Sequence, residues 1–269
     1  MLSRLITLGL CLHMTLMNVS QAEELDDYIE SDRWVVSASV GFGRVGVSQG
    51  DRKDIPLYLV PDIRYYGEQV TLENTSISYA LKQTPEYQIE MLGRQNFDGL
   101  SFRGSHRGVL ASSGLIIGFE PTSAVPTRSR SMSYMGGVSY TYFLASGSIE
   151  ADVTKDISNV HHGYEFRLGY KQDWQWWDWH FQSLLRATYK SGDLLDYYYG
   201  SEGVKEVPVS LEGHRFSARA QLQAARQIED NIWLVGAYSL QWMSAAALSS
   251  PFTKDSPLDT YFLGVKWVF

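Results

Sequence analysis

The stretch "TYFLGVKWVF" (residues 260–269) is the part of the sequence that most directly indicates the fold. Its apolar side chains recur at every second position, at Tyr261, Leu263, Val265, Trp267 and Phe269. An alternation of this kind is typical of a β-strand, because successive side chains of a strand point to opposite faces of the sheet. The segment therefore predicts a strand with one apolar face, and the remaining sequence decides which kind of sheet contains it.

The same alternation returns along much of the chain. It is clear in "RWVVSASVGF" (33–42), "GYEFRLGYKQ" (163–172), "WWDWHFQSLLRATYK" (176–190) and "RFSARAQLQ" (215–223). Segments of about ten alternating residues, separated by turn residues, are typical of a transmembrane β-barrel. The sequence therefore predicts an all-β fold, a closed antiparallel transmembrane barrel over residues 33–269.

Two water-soluble architectures also alternate. A secreted sandwich places one face of each sheet in water, and a barrel of the lipocalin type is apolar inside and polar outside. Alternation alone does not exclude the soluble barrel. Tryptophans at or near strand ends instead favour the membrane barrel, in which aromatic residues form a girdle at each interface; they are Trp34, Trp177, Trp179, Trp242 and Trp267.

The start of the chain predicts export. Residues 1–22 contain one basic residue, Arg4, then an apolar run and the small residues Ser20 and Ala22, which together indicate a signal peptide cut after Ala22. The run is too short for a transmembrane anchor. An acidic segment follows at 23–32, which we expect in the periplasm. The single cysteine, Cys11, lies within the signal, so the exported chain would have no disulfide.

The formal charge of −7 argues against a nucleic-acid partner, since binding phosphate needs a surplus of Lys and Arg. We expect the partners to be outer-membrane lipid and the barrel assembly machinery of a Gram-negative outer membrane. A final strand that alternates and ends on an aromatic resembles the signal by which that machinery recognises barrels. The predicted assembly signal comprises the five alternating residues of 260–269 named above.

The strand count depends on the stretch "EQVTLENTSISYALK" (68–82), where the apolar phase changes between Leu72 and Ile77. A change of phase needs a turn or a bulge. If "ENTS" is a turn, the count is twelve; if it is a bulge, ten strands are the alternative. We prefer twelve. The other strands are predicted at 33–45, 56–66, 85–96, 131–144, 147–156, 162–174, 176–190, 213–227, 230–243 and 258–269, with long outer loops at 97–130, 191–212 and 244–256.

Motifs for catalysis and cofactors are weak. "GFGRVG" (41–46) and "GVSQG" (46–50) match a dinucleotide loop and a nucleophile elbow, but no helix follows either of them. His161 and His162 are expected to be solvated in a tight turn. His180 should point inward on a strand, with no identifiable serine opposite. We find no metal-ligand spacing and expect no cofactor.

The faces predicted to line the lumen carry both charges. These residues are Glu90, Arg94, Glu150, Asp152, Glu165, Arg167, Lys171, Arg186, Lys190, Arg215 and Arg219. Such a lumen could be a selective polar pore or a salt-bridged plug that passes little, and mixed charge favours neither.

Several segments resemble the MltA-interacting protein/OmpV family of outer-membrane proteins. They are "IPLYLVPDIRYYGEQVTLEN" (55–74), "SIEADVTKDISNVHHGYEFRLGY" (148–170), "DLLDYYYG" (193–200) and "KDSPLDTYFLGVKWVF" (254–269). The most specific pieces are Tyr198, Tyr199 and Gly200, and the run from Asp255 to Leu258. The resemblance implies a barrel without known catalysis, which acts as a scaffold for murein-processing enzymes or as a porin-like protein.

On this resemblance, we expect a non-enzymatic outer-membrane barrel that anchors a periplasmic lytic transglycosylase or murein synthase. The alternative is a small-solute channel of the same architecture. A barrel hydrolase whose activity depends on His180 is a weaker third hypothesis.

Overall fold

A computed structural model describes residues 32–48, 54–99, 109–111, 114–116, 130–200, 210–253 and 256–269, the residues between 109 and 116 by their backbone only. The predicted signal peptide, nearly all of the acidic segment and most of the 97–130 loop lie outside the described residues. The strands are β1 (Arg33–Val45), β2 (Ile55–Tyr66), β3 (Val70–Glu73), β4 (Ser76–Gln83), β5 (Tyr87–Asn96), β6 (Val109–Ala111), β7 (Gly114–Ile116), β8 (Ser133–Leu144), β9 (Gly147–Asp156), β10 (Tyr164–Trp176), β11 (Trp179–Lys190), β12 (Phe216–Glu229), β13 (Ile232–Trp242) and β14 (Leu258–Val268).

All strands except β6 and β7 form one closed antiparallel barrel, and β6 and β7 form a separate hairpin. Twelve strands therefore make the wall, as the preferred sequence count predicts. The deciding turn lies at 74–75, between β3 and β4, where Glu73 pairs with Ser76. Asn74 takes a positive φ of 53°, a conformation that Asn tolerates better than most residues. The phase change is therefore a turn and not a bulge.

Closure occurs between the first and the last barrel strands. β1 pairs with β14 from Ser37 opposite Val268 to Val45 opposite Thr260. The pairing of β1 with β14 leaves no free edge at this seam, and a free edge would be costly in lipid. The last strand thus belongs to the wall, as its alternation predicts.

The two ends of the barrel differ in the length of their connections. Short turns at 67–69, 84–86, 145–146, 177–178 and 230–231 lie at one end, which we call the periplasmic end. The connections 46–54, 97–132, 157–163, 191–215 and 243–257 lie at the other end, called here the outer end, whereas the turn at 74–75 lies partway up the wall beside Ile63.

The outside of the wall is apolar and the inside is polar. Phe42 and Leu263 face outward and are 77% and 62% exposed, whereas Ser37 and Glu165 face inward and are buried. A lipocalin-type barrel would show the reverse arrangement, because its apolar side chains fill the interior. This polarity is that of a barrel with a lipid-facing exterior. None of the described helices is long and apolar enough to cross a membrane.

Two short helices lie in the outer connections: α1 (Gly192–Tyr199) and α2 (Ala245–Leu248). Both helices lie in segments that are predicted as loops, 191–212 and 244–256, so the prediction is wrong at these positions. A signal for α1 is present in the sequence, because Leu194, Leu195, Tyr198 and Tyr199 recur at helical spacing.

Candidate functional site

The outer mouth of the barrel is filled by an apolar cluster, which we call the plug. Its side chains come from the two short helices, from β8 and from the residue that follows β13. All of them are buried: Met135, Leu194, Leu195, Tyr198, Tyr199, Met243, Ala246 and Ala247. Packed apolar side chains exclude water from the space that they fill. Water is therefore excluded from the part of the outer mouth that the plug occupies.

The end of α1 fastens the plug to the neighbouring connections. The Tyr198 hydroxyl donates to the Ser131 carbonyl oxygen at 3.1 Å, and its ring meets the His161 ring edge-on with centroids 5.6 Å apart. The Ser250 hydroxyl donates to the Tyr199 carbonyl oxygen at 2.6 Å. The Gly200 N–H donates to the Asp196 carbonyl oxygen and ends the helix. The Tyr-Tyr-Gly motif thus joins three connections of the outer end.

A group of buried and largely buried ion pairs lies within the lumen and is called here the lumen network: Arg94, Asp98, Asp152, Glu165, Arg167 and Lys190. The Arg94 guanidinium pairs with the Glu165 carboxylate and donates to the Thr154 hydroxyl at 3.0 Å. β5 and β10 are separated in the wall by β8 and β9. The Arg94–Glu165 pair therefore crosses the part of the lumen in front of β8 and β9 and does not simply join two neighbouring strands.

Two further contacts extend the network. The Lys190 ammonium pairs with the Asp98 carboxylate at 2.5 Å and lies 4.0 Å from Glu165. The Arg167 Nε donates to both Asp152 oxygens, at 2.8 and 3.0 Å. Paired charges with satisfied hydrogen bonds can be held away from water, whereas an isolated ion could not.

The remaining predicted lumen residues lie outside this network. Arg186 pairs with Glu150 at 3.1 Å, and Arg219 donates to the Gln241 side-chain oxygen at 2.6 Å. Glu90 accepts from the Ser78 hydroxyl at 2.7 Å. Lys171 lies 3.9 Å from Asp173, and both side chains are partly exposed.

Arg215 departs from the predicted placement. It precedes β12 and is exposed, and its guanidinium lies beside Gly192 at the start of α1. It belongs to an outer connection, because β12 begins later than the predicted residue 213.

A second polar group, near the periplasmic end, was missed by the sequence analysis. The Asp62 carboxylate is buried, pairs with Arg64 at 2.9 Å and lies 3.8 Å from the Lys266 ammonium. The Asn74 side-chain amide also donates to Asp62, at 2.9 Å. Asp62 and Lys266 are far apart in the chain and meet only because β14 closes against β1, beside β2. No local pattern could have indicated this group.

The turn after β9 is held by the Asp156 carboxylate. One of its oxygens accepts from the backbone N–H groups of Val160, His161 and His162, at 2.7, 2.7 and 2.9 Å. His161 is buried and not solvated, which corrects the expectation from sequence. Burial lowers the pKa of His161 below its usual value, against the opposing effect of Asp156.

Three residues near this turn are of the types that form a hydrolytic triad: Ser133, His161 and Asp156. The His161 Nε2 lies 2.9 Å from the Ser133 hydroxyl oxygen, and Nδ1 lies 4.0 Å from Asp156. The Gly163 N–H donates to Nδ1 at 2.9 Å, so Nδ1 is unprotonated and the Nε2–H donates to Ser133. A catalytic base needs the opposite tautomer, with an unprotonated Nε2 facing the nucleophile. The arrangement therefore stabilises the turn and does not activate Ser133.

His180, the residue of the hydrolase hypothesis, lies on β11 near the periplasmic end. Its ring is 5.8 Å from the Trp233 ring. Within the described part of the chain, no group of three or more His, Cys, Asp and Glu side chains is arranged to hold a metal ion.

The five alternating residues of the last strand lie along the outside of β14 and just beyond it. Tyr261, Leu263, Trp267 and Phe269 are exposed, and Val265 is half-buried. The Phe269 N–H donates to the Val36 carbonyl oxygen, which extends the pairing with β1 past Val268.

A family model described as "MltA-interacting protein MipA" matches residues 36–269. A search of curated protein sequences finds no match. Among solved structures, an outer membrane channel from Pseudomonas putida F1 is 10% identical, with coverage of 91% of this chain and 99% of that chain and a TM-score of 0.41. The Pseudomonas putida toluene transporter TodX is 8% identical, with coverage of 93% and 92% and a TM-score of 0.38.

Proposed function

The chain belongs to the MltA-interacting protein MipA family, and from this premise we propose that it is a non-enzymatic outer-membrane anchor for a periplasmic murein-processing enzyme. The family description names MltA as the protein with which its members interact, and we take the class of the partner from this name. A lytic transglycosylase of this kind acts on murein, which lies beneath the outer membrane, so a barrel with exposed periplasmic turns can hold it near its substrate.

The observation that carries this proposal is the filled lumen. A twelve-stranded barrel lies between small barrels that are filled by side chains and large barrels that leave an aqueous channel, so its contents decide whether it conducts. Here the plug occupies the outer mouth, and the Arg94–Glu165 pair projects into the lumen in front of β8 and β9. An anchor needs no passage through its wall, whereas a pore does.

A solute channel is the second candidate, and one observation favours it. Toward the periplasmic end the lumen contains partly exposed charges, such as Arg64, Lys171 and Asp173. Water can therefore enter from this side. Passage would require the plug to move, so we rank this function below anchoring.

We propose that the partner binds to the short periplasmic turns. Four of the acidic side chains in these turns are exposed: Glu68, Glu86, Asp178 and Asp230. Only Asp178 has a basic partner among the ion pairs of the described residues, Arg226 at 3.1 Å. A surface with this excess of acid favours a partner with a basic patch, through association that weakens with added salt.

The binding of a purified periplasmic lytic transglycosylase to the barrel in detergent tests this proposal. We expect saturable binding that weakens with salt. The triple variant Glu68→Lys, Glu86→Lys and Asp230→Lys should raise the Kd by about ten-fold or more, which corresponds to at least about 1.4 kcal/mol.

Glu212→Lys is the control, because it makes one such reversal of charge at an exposed site of the outer end. It should leave the Kd unchanged. The absence of binding by the wild type, or equal binding by the triple variant, would contradict the proposal.

A further inference from the structure

The wall of the barrel is incomplete beside β2. β3 pairs with β2 only from Arg64 opposite Glu73 to Tyr66 opposite Thr71. Above this ladder, the Asn74 N–H donates to the Ile63 carbonyl oxygen at 2.8 Å, and the Ile63 N–H donates to the Asn74 side-chain oxygen at 2.9 Å. From 55 to 62, no barrel strand pairs with the side of β2 that faces away from β1. We call this stretch the open edge of β2.

The residues of the open edge are suited to an edge position. Pro61 has no N–H, and it lies two residues from Ile63, whose N–H points to the β3 side. By the alternation of a strand, the missing donor of Pro61 lies on the open side. Proline within a sheet is largely confined to edges and bulges. The sequence therefore tolerates the absence of a regular ladder at this position.

An open edge in a membrane barrel needs a covering. Backbone N–H and C=O groups that face hydrocarbon without partners are costly, and for this reason lipid-exposed sheet edges do not occur. The open edge lies in the outer half of the wall, so a segment from an outer connection could reach it.

One segment of this chain contacts β2. β7, in the connection between β5 and β8, runs beside β2, and it is the second strand of the β6–β7 hairpin, in which Val109 pairs with Ile116. We propose that the open edge of β2 is a strand-binding surface and that the β6–β7 hairpin occupies it, sealing the side of the barrel. The plug closes the outer mouth and the hairpin closes the wall, so the two seals are separate.

Cysteine crosslinking in the full-length chain tests this placement. The exported chain is expected to contain no cysteine, and Cys11→Ser removes the remaining one if the leader is retained. Leu57→Cys or Leu59→Cys on β2 is combined with Leu115→Cys on β7. We expect an intramolecular crosslink with a short bis-maleimide for at least one of the two pairs.

The matched control pairs Leu115→Cys with Val153→Cys on β9, which faces outward elsewhere on the barrel. It should give no crosslink. Equal crosslinking of the control would overturn the proposal. A covalent dimer from Leu57→Cys or Leu59→Cys alone would also overturn it, since the edge would then pair with a second copy of the chain.

A second variant keeps the test independent of side-chain direction. Residues 109–116 are replaced by a Gly-Ser segment of the same length, and the labelling rate of Leu57→Cys by a small maleimide is measured. Leu57 is buried in the intact protein, so its labelling should rise by about ten-fold or more when the seal is removed. Thr154→Cys, buried on β9 beside Arg94, should stay unreactive. An unchanged rate at Leu57→Cys would show that the hairpin does not cover the edge.

Discussion

At the scale of single residues, the inside of this barrel depends on buried charges that are paired. Glu165 is the centre of the lumen network: it pairs with Arg94, lies 4.0 Å from Lys190 and accepts from the Asn96 side chain at 3.3 Å. The removal of one member leaves its partners charged and away from water, which costs more than the pair itself contributes. The network is therefore sensitive to single substitutions.

The first prediction concerns Glu165→Gln, which keeps the shape of the side chain and removes its charge. We expect a loss of about 3 kcal/mol in the free energy of unfolding, because Arg94 and Lys190 lose their shared counter-ion. Denaturant unfolding of the barrel in detergent measures it. Lys171→Met is the control, since its pair with Asp173 is partly exposed, and it should cost less than about 1 kcal/mol. Equal losses would mean that the network is not sealed from water.

A second residue-scale prediction concerns the pH dependence of stability. Burial holds the pKa of His161 below the value of 6.5 expected in the unfolded chain. As the pH falls through 6.5, the unfolded chain therefore takes up a proton before the folded protein does, and the stability that is present above this pH is lost. The denaturant midpoint of the wild type should fall with the pH in this window.

His161→Gln should reduce this slope, whereas His162→Gln, an exposed neighbour in the same turn, should retain it. The same slope in all three proteins would show that His161 does not titrate as its burial implies.

At the scale of the strands, the critical contact is the seam between β1 and β14. A Cβ atom at Gly41 would collide with the Leu263 carbonyl oxygen and come within 2.5 Å of the Gly264 Cα. Both of these neighbours are backbone atoms, so the strands could relieve the collision only by moving apart. Glycine is required here by the close approach of the two strands.

Gly41→Ala should therefore destabilise the barrel by about 1–3 kcal/mol or more, as over-packing does. Gly236→Ala is the control, because the nearest atom to its added Cβ is a side-chain carbon of Leu263 at 3.6 Å. It should change the unfolding midpoint little. The prediction is wrong if Gly41→Ala is as stable as Gly236→Ala.

The last strand gives a prediction about assembly. Phe269 is 80% exposed on the outside of the barrel, so its truncation removes little packing within the folded protein. If the alternating residues of β14 are the assembly signal, Phe269→Ala should reduce the fraction that becomes heat-modifiable on gels, while the inserted fraction migrates like the wild type. Lys266→Ala, on the inward face, should insert normally. The opposite pattern would reject the assembly signal.

Much of the strand arrangement could be predicted from the sequence, because alternation is a local property. The strand faces, the twelve-strand count and the turn at 74–75 follow from period-two runs and from one change of phase. The plug could not be predicted as a cluster, since Met135, Leu194 and Met243 meet only after closure. His161 was misjudged for the same reason: its turn looks exposed in the sequence, and its cover, Tyr198, comes from another connection. The sequence predicts which charged residues point into the lumen, but it could not predict the residues with which they pair.

At the scale of the whole molecule, the protein is a membrane barrel with an apolar exterior and with a plug and paired charges in its interior. We propose that the plug closes the path along the axis and that the hairpin seals the wall beside β2. A protein with this construction can be held in the outer membrane and can present its periplasmic turns without making the membrane permeable.

Single-channel conductance shows directly whether the lumen is closed. We would measure it for the purified wild-type barrel in a planar bilayer with concentrated KCl. We predict no steady open steps for the wild type, and stepwise conductance for a variant in which Leu194, Leu195 and Tyr198 are all replaced by alanine. Tyr238→Ala, on the outside of β13, should stay closed like the wild type. Steady steps from the wild type, with the same amplitude as those of the triple variant, would contradict a sealed lumen and favour a pore.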